Sequence, residues 1–127
     1  MKVSAAYVDH LNDLFAALGP VRVRPMFGGA GVYAGELMFG FLDRDETIYL
    51  RVDDQTREAF QAAGSEPFRY PLKTGEEFEI GYWRMPDEAL ESPEYAADWG
   101  QMALEAAMRK KAAKRRKKSA SSPASNG

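Results

Sequence analysis

Histidine and carboxylates are the side chains most often used in acid–base catalysis, and this chain has a single histidine and 19 carboxylates. His10 follows Asp9 and lies close to Asp13, so an Asp–His pair acting in general acid–base catalysis is one interpretation. The spacing of the apolar residues around it instead places His10 on the polar side of a helix, as an ordinary surface residue. A catalytic role would also need a nucleophile or a metal partner, and the sequence indicates neither. We therefore predict no catalytic residues and no enzyme activity.

Two groups of carboxylates could bind a divalent cation or act as a pair in glycoside hydrolysis. They lie near a predicted turn and around predicted helix openings: Glu76, Glu77 and Glu79, and Asp87, Glu88, Glu91, Glu94 and Asp98. Acidic side chains at helix N-termini are also explained by the helix dipole, and those on strands by exposure to water. Residues 43–45 begin like a calcium-binding loop but lack its glycine and distal glutamate. No metal site is predicted.

Residues 29–34 (GAGVYA) fit the glycine pattern of dinucleotide-binding sites and follow a predicted strand. Such a site requires the motif to open a helix whose N–H groups bind the pyrophosphate. Gly35, Gly40 and an apolar period of two argue against a helix here. The glycines are better explained by turns with positive φ, so no cofactor is predicted.

The absence of cysteine excludes disulfides, thiolate nucleophiles, Cys-ligated zinc and iron–sulfur clusters. It is typical of a reducing compartment, and the N-terminal segment reaches Asp9 without the apolar region of a signal peptide. No stretch approaches 18 apolar residues, so no membrane span is predicted. We expect a cytoplasmic protein.

Arginines and aromatic residues are interleaved along the predicted strands. If they gathered on one face of a sheet, they could stack on and clamp a nucleotide strand. Alternatively, the arginines could pair with the surplus carboxylates. The candidate interaction surface comprises Arg22, Arg24, Arg51, Tyr82 and Trp83.

The charge distribution is the sharpest functional signal. Residues 109–118 (RKKAAKRRKK) hold eight of the 17 Lys and Arg residues. The other nine precede residue 109, as do all 19 Asp and Glu residues. Residues 1–108 therefore carry a net charge of −10. We predict weak, sequence-independent contact with DNA or RNA, because these cations can neutralise phosphates while no aromatic, Asn or Gln in the run can read bases. The alternatives are a solubilising tail that folds onto the acidic body, an acidic protein partner or an anionic lipid. The predicted nucleic-acid-binding residues are Arg109, Lys110, Lys111, Lys114, Arg115, Arg116, Lys117 and Lys118.

The elements that must position these residues follow from the apolar periodicity. An amphipathic helix begins at Ser4 and ends at residues 19–20, and a short helix follows Asp53 or Asp54 as its N-cap. A long helix opens at residues 92–93, with Tyr95, Trp99, Met102, Ala103 and Ala106 as its buried stripe. Strands are predicted at residues 21–26, 32–34, 37–42, 47–52 and 78–83, with an extended segment at 67–71.

This order predicts one α+β domain over residues 1–108, with two layers: an antiparallel β-meander sheet and helices packed on one of its faces. Residues 109–127 are predicted to be a basic tail that is first helical and then, from residue 119, disordered. A strand edge such as residues 77–82 could pair two subunits, so a dimer is an open alternative.

Six motifs occur together in the order found in one known family. They are residues 24–33 (RPMFGGAGVY), 48–53 (IYLRVD), Phe60 with Gly64, 67–70 (PFRY), 82–86 (YWRMP) and 99–103 (WGQMA). Over residues 5–107 the chain thus resembles the N-terminal domain of the TfoX/Sxy regulators of competence. The resemblance implies a fold like that of secretion chaperones and a role in transcriptional regulation of DNA uptake, without catalytic residues.

The longer family members carry a second, helical domain where this chain has its basic tail. The resemblance and the tail together favour a non-enzymatic interaction or regulatory domain, with a protein partner besides nucleic acid. The alternative is a small-molecule or chaperone-like protein-binding domain whose tail is incidental.

Overall fold

The computed structural model describes residues 3–26 and 29–121, except for the side chains of residues 70, 71, 78 and 118–121. It confirms the predicted α+β class. The helices are α1 (Ala5–Leu14), α2 (Arg57–Ala62) and α3 (Pro93–Ser121), with 3₁₀ turns at Ala16–Leu18 and Asp87–Ala89. The strands are β1 (Val21–Met26), β2 (Gly29–Ala34), β3 (Leu37–Leu42), β4 (Ile48–Arg51), β5 (Pro67–Pro71) and β6 (Glu77–Arg84).

The six strands form one antiparallel sheet in the order β1-β2-β3-β4-β6-β5. The first four strands are the predicted meander. The segment predicted only as extended is the edge strand β5, a position that tolerates its two prolines because a proline cannot donate to the ladder. Strand β6 pairs with β5 along most of its length and with β4 through Tyr82–Arg84.

All three helices pack against the same face of the sheet. Alternate strand residues such as Val32, Leu42 and Leu50 point towards them and are buried. Phe15 packs edge-on against Phe39 with ring centres 5.3 Å apart, which joins the end of α1 to the middle of the sheet. One continuous core therefore holds the helices, and the opposite face of the sheet has no helix over it among the described residues.

The glycines at residues 29–31 do not have the predicted role. Gly29 and Gly31 lie inside strand β2 and have no positive φ. A Cβ on Gly29 would lie 2.1 Å from the carbonyl oxygen of Leu42, so this glycine allows two strands to approach closely instead of forming a turn. The strand also confirms that the dinucleotide-like motif does not open a helix.

Three helix details differ from the prediction. The N-cap of α2 is Thr56, since Asp53 is used in the turn before it. Tyr95 is 51% exposed because Ala96 takes the inward position in the first turn of α3. Helix α3 runs to Ser121, three residues into the segment predicted to be disordered, and residues 122–127 lie outside the described residues.

Small residues on the inward side of α3 allow it to lie close to its neighbours. Ala96, Gly100, Ala103 and Ala107 are buried at spacings of three and four residues. A Cβ on Gly100 would lie 2.8 Å from Leu18 Cδ1 and within 3.1 Å of the ring of Phe15. Leu18 and Phe15 therefore already fill the space beside Gly100 and leave no room for a methyl group.

The substitution Gly100→Ala is expected to destabilise the protein by about 1–3 kcal/mol, because the added methyl group overpacks the contact with Phe15 and Leu18. Helix propensity alone predicts the opposite sign, since alanine is better than glycine by about 1 kcal/mol in a helix. Urea denaturation measures the free energy of unfolding. Gln101→Ala, at the exposed neighbouring position, is the control and should change it by less than about 0.5 kcal/mol. A Gly100→Ala protein as stable as the parent would contradict the close approach.

Candidate nucleic-acid interface

The basic residues continue the last helix without a break. Helix α3 passes residue 108 and carries residues 109–118 on regular helical backbone. Lysine, arginine and alanine are good helix formers, and cations near the C-terminal end interact favourably with the helix dipole. The tail therefore starts in a fixed direction, set by the packed part of α3.

An ion pair fastens the first basic residue to the sheet. Arg109 donates from Nε to Asp53 Oδ2 at 2.7 Å and from its terminal nitrogen to Asp53 Oδ1 at 3.1 Å. The hydrogen bonds from Arg109 hold the pKa of Asp53 below its usual value of 3.8. Among the described side chains, residues 110–117 make no ion pair. The acidic body thus pairs with the start of the run and leaves the following cations to solvent.

Two connected grooves lie where α3 passes the ends of strands β3 and β4. The larger, of about 410 Å³, is lined by Arg51, Asp53, Arg109, Lys110 and Arg116 among others. The smaller, of about 210 Å³, is lined by Glu36, Leu37, Met38, Arg51, Lys110, Lys111 and Lys114 among others. Arg51 and Lys110 line both, so we name the pair together the basic groove. It brings Arg51, a cation of the sheet, next to the cations of the tail.

Arg51 is held in place by its neighbours on β6. Its Cζ lies 4.4 Å from the centre of the Tyr82 ring, in a cation–π contact. Gly81 has a φ of 82°, and a Cβ there would lie 3.0 Å from Arg51 Nη1, so the glycine leaves room for the guanidinium. Burial raises the pKa of Tyr82, an effect that Arg51 partly offsets, and the phenol stays neutral beside the cation.

The guanidinium of Arg51 is incompletely satisfied. Its Nε is buried and has no hydrogen-bond partner among the described residues. The ion pairs of the described residues do not include Arg51, and its acidic neighbours Asp53 and Asp54 pair with Arg109 and Arg57. Arg51 as a whole is half-buried and lines both parts of the basic groove, so its unpaired charge has capacity for an anion there.

Four aromatic rings cluster on the sheet face that the helices leave uncovered. Phe41 and Tyr49 are stacked with centres 5.1 Å apart, and Phe68 and Tyr82 contact Phe41 edge-on at 4.9 and 5.4 Å. Phe68 lies on β5, three strands from β3, so this contact requires the sheet to curve towards its uncovered face. Phe41, Tyr49 and Phe68 are half-buried, which leaves part of each ring at the surface.

A sequence profile of the TfoX N-terminal domain matches residues 13–107. The chain belongs to the TfoX N-terminal domain family. The match covers the sheet and the packed part of α3, and it ends just before the basic run begins at Arg109. No curated protein matches the chain.

Within this TfoX N-terminal domain, the predicted interaction surface divides between two faces. Arg22, Arg24, Arg51 and Tyr82 lie on the uncovered face, where Arg24 stands over the ring of Tyr33 at 5.5 Å. Trp83 lies in the core at 6% exposure, because neighbouring residues of a strand point to opposite faces. The structure therefore exposes neither ring: Trp83 lies in the core, and Tyr82 is only 5% exposed although it lies on the uncovered face. The sequence analysis missed Phe41 and Phe68. A period of two does not reveal Phe41, because Phe39 lies in the core and an irregularity in the β2–β3 pairing puts the two rings on opposite faces.

Another cleft among the described residues lies away from the basic groove. It measures about 620 Å³ and is lined by Tyr7, His10, Asp13, Glu46 and Glu91 among others. His10 is exposed, as its interpretation as a surface residue predicted. In residues 3–26 and 29–121 no group of three or more His, Asp or Glu side chains is placed to bind a metal. The helices of the same ranges include none that is both long and apolar enough to cross a membrane.

Asp53→Asn is expected to lower the free energy of unfolding at neutral pH by up to about 1 kcal/mol, the range of a partly exposed ion pair. Because folding lowers the pKa of Asp53, this stabilisation is fully present above its usual pKa of 3.8 and is lost as pH falls through the lowered value. The difference between parent and variant should therefore shrink below about pH 4, measured by urea denaturation across pH.

Two controls accompany this substitution. Asp54→Asn removes a carboxylate that is 94% exposed and should change stability far less. Arg109→Gln should have the same effect as Asp53→Asn, and the double variant should cost no more than either single one, since both remove one interaction. Additive costs would show that the pair does not fasten α3 to the sheet.

Proposed function

We propose that this TfoX N-terminal domain is a non-enzymatic interaction and regulatory domain, located in the cytoplasm, whose basic helix contacts nucleic acid weakly and without sequence preference. The observation that carries the proposal is the run of exposed cations on the C-terminal half of α3, of which the body pairs only Arg109 among the described side chains. Family membership supports a competence-regulator-like domain, and the family is not known for enzymatic activity.

The density of the cations matches that of a nucleic-acid backbone. At about 1.5 Å of rise per residue, residues 109–118 extend over about 15 Å, and duplex DNA carries about one negative charge per 1.7 Å of axis. The cationic side chains project in different directions around the helix axis, so only some of them can contact one duplex at a time. Binding in the non-specific range of about 10⁻⁴ to 10⁻⁶ M at physiological salt follows from counterion release.

The negative charge of the body favours a nucleic acid held at one end of the domain over one bound across a broad interface. Residues before 109 carry a net charge of −10, so a polyanion is repelled from most of the domain and attracted only to one end. The acidic cleft at His10 and the exposed strands remain available while that end is bound. We infer that a protein partner binds there and that the basic helix raises its local concentration at DNA or RNA, as transcriptional regulation of competence would require.

A second candidate function is supported by the aromatic cluster. Half-buried aromatic rings on an uncovered sheet face are a common feature of surfaces that bind a protein segment or a small molecule. In that case the domain is a chaperone-like or small-molecule-binding module and the basic helix is incidental. A full chain that does not bind DNA at either salt concentration would favour this candidate.

The test is fluorescence anisotropy of labelled duplex DNA with the full chain at about 50 and 200 mM salt. The parent should bind in a salt-sensitive manner. A variant with glutamine at positions 110, 111, 114, 115, 116, 117 and 118 should bind at least about tenfold more weakly, because glutamine cannot neutralise phosphates although it preserves the helix. Arg109 is kept so that its pair with Asp53 remains.

Two triple variants that remove the same charge distinguish binding by the basic helix from a general effect of net charge. Glutamine at Arg115, Arg116 and Lys117 should reduce the salt dependence, by up to about 0.9 in the log–log slope for each phosphate that is no longer neutralised. Glutamine at the three exposed body cations Arg44, Arg69 and Lys73 removes the same charge and should leave binding within about twofold. Equally weakened binding in the two triple variants would contradict the proposal.

A further inference from the structure

We infer that the basic groove is a phosphate-binding site for single-stranded nucleic acid, in which Arg51 of the sheet and Lys110 and Lys114 of α3 hold the backbone and the aromatic sheet face receives a neighbouring base. The inference rests on the proposed function, because it names the kind of nucleic acid and the place where it binds. It extends the interface from the helix to the folded body.

The first step of the argument is the charge left over in the groove. Its acidic neighbours Asp53 and Asp54 are paired with Arg109 and Arg57, so their charges are already compensated. What remains is one carboxylate, Glu36, against five cations: Arg51, Lys110, Lys111, Lys114 and Arg116. An anion with more than one charge-bearing oxygen is the ligand that this excess favours, and a backbone phosphate is such an anion.

The second step is the preorganisation of Arg51. The Tyr82 ring at 4.4 Å and the backbone of Gly81 fix the guanidinium, so binding would cost little side-chain entropy. No described carboxylate lies within ion-pair distance of this guanidinium, so its charge is available to an anion in the groove. The exposed lysines of the tail are not fixed in this way. Arg51 is therefore the residue through which the body would recognise a phosphate.

The third step distinguishes a single strand from a duplex. The two parts of the groove measure about 410 and 210 Å³ and lie in a corner between α3 and the sheet. A corner of this size admits the backbone of a single strand more easily than a duplex. Tyr82, against which Arg51 packs, belongs to the aromatic cluster with Phe41, 5.4 Å away. A strand that leaves the groove over Tyr82 therefore meets Phe41 and Tyr49, and unpaired bases stack on such rings whatever their sequence.

The test uses the full chain and a labelled oligothymidylate of 12 nucleotides, with a 12-base-pair duplex measured in parallel by anisotropy. Arg51→Gln should weaken binding of the single strand about tenfold, the effect of removing a charge-assisted hydrogen bond to a phosphate. Arg24→Gln is the matched control: this arginine lies on the same face and also stands over a tyrosine, at 5.5 Å, but outside the groove. It should change binding less than about twofold.

A second pair of variants does not depend on the stability of Arg51→Gln. Lys114→Gln alters an exposed residue that lines the groove and should weaken single-strand binding, whereas Lys73→Gln, at an exposed lysine of the body outside the groove, should change it by less than about twofold. If, in each of the two pairs, the groove variant and its control weakened single-strand binding equally, the groove site would be overturned and the helix would remain as the only contact.

The duplex and a mononucleotide decide the remaining outcomes. Duplex binding should depend on the helical cations and change less than about twofold in Arg51→Gln; an equal weakening for duplex and single strand would overturn the preference for a single strand. Thymidine 5′-monophosphate should compete only weakly with the labelled single strand. If it bound as tightly as the strand and this binding depended on Arg51, the ligand of the groove would be a small phosphate compound instead of a nucleic acid. If neither oligonucleotide bound the parent, the proposed function itself would fail, an outcome distinct from loss of the groove alone.

Discussion

The close packing of α3 determines how the rest of the domain is arranged. Because its inward side consists of Ala96, Gly100, Ala103 and Ala107, the helix can lie against Phe15, Leu18 and the sheet with no bulky side chain between them. The basic run continues this packed helix without a break. The cations of residues 109–118 therefore leave the domain in a direction set by apolar contacts, and the pair of Arg109 with Asp53 fixes the point of departure.

This arrangement joins two kinds of cation that differ physically. Lysines and arginines on the outer part of α3 are exposed and long, and each contact they make costs side-chain entropy. Arg51 is fixed on a strand beside Tyr82 and Gly81, and no described carboxylate pairs with it. The packed helix brings the first group to the second, so a diffuse electrostatic attraction and a defined site lie next to each other.

Most of the fold could be predicted from the sequence because its signals are local. Alternation from Val21 onwards, the turn at Gly35 and the Ser92-Pro93 opening each specify an element without reference to distant residues. The errors have non-local causes. Gly29 is a glycine because Leu42 lies against it, and Tyr95 is exposed because Ala96 fits the inward position better.

The candidate site was less predictable for the same reason. The basic run is visible in the sequence, but its partner Asp53 lies 56 residues away along the chain, and nothing local marks Arg51 as a neighbour of Lys110. Trp83 was grouped with Tyr82 by composition, although the pleat of β6 sends the two rings to opposite faces. Phe41 and Phe68 meet only because the sheet curves.

The length of α3 has a consequence for how the molecule moves before any contact forms. Glu94 and Asp98 lie in its first turns and the cations lie in its last, so opposite charges are separated by much of a helix that is about 43 Å long. Such a separation gives the protein a large permanent dipole moment, which opposes the smaller dipole of the helix backbone and exceeds it. In the field of a polyanion the whole molecule experiences a torque as well as an attraction, and it rotates so that the C-terminal end of α3 arrives first.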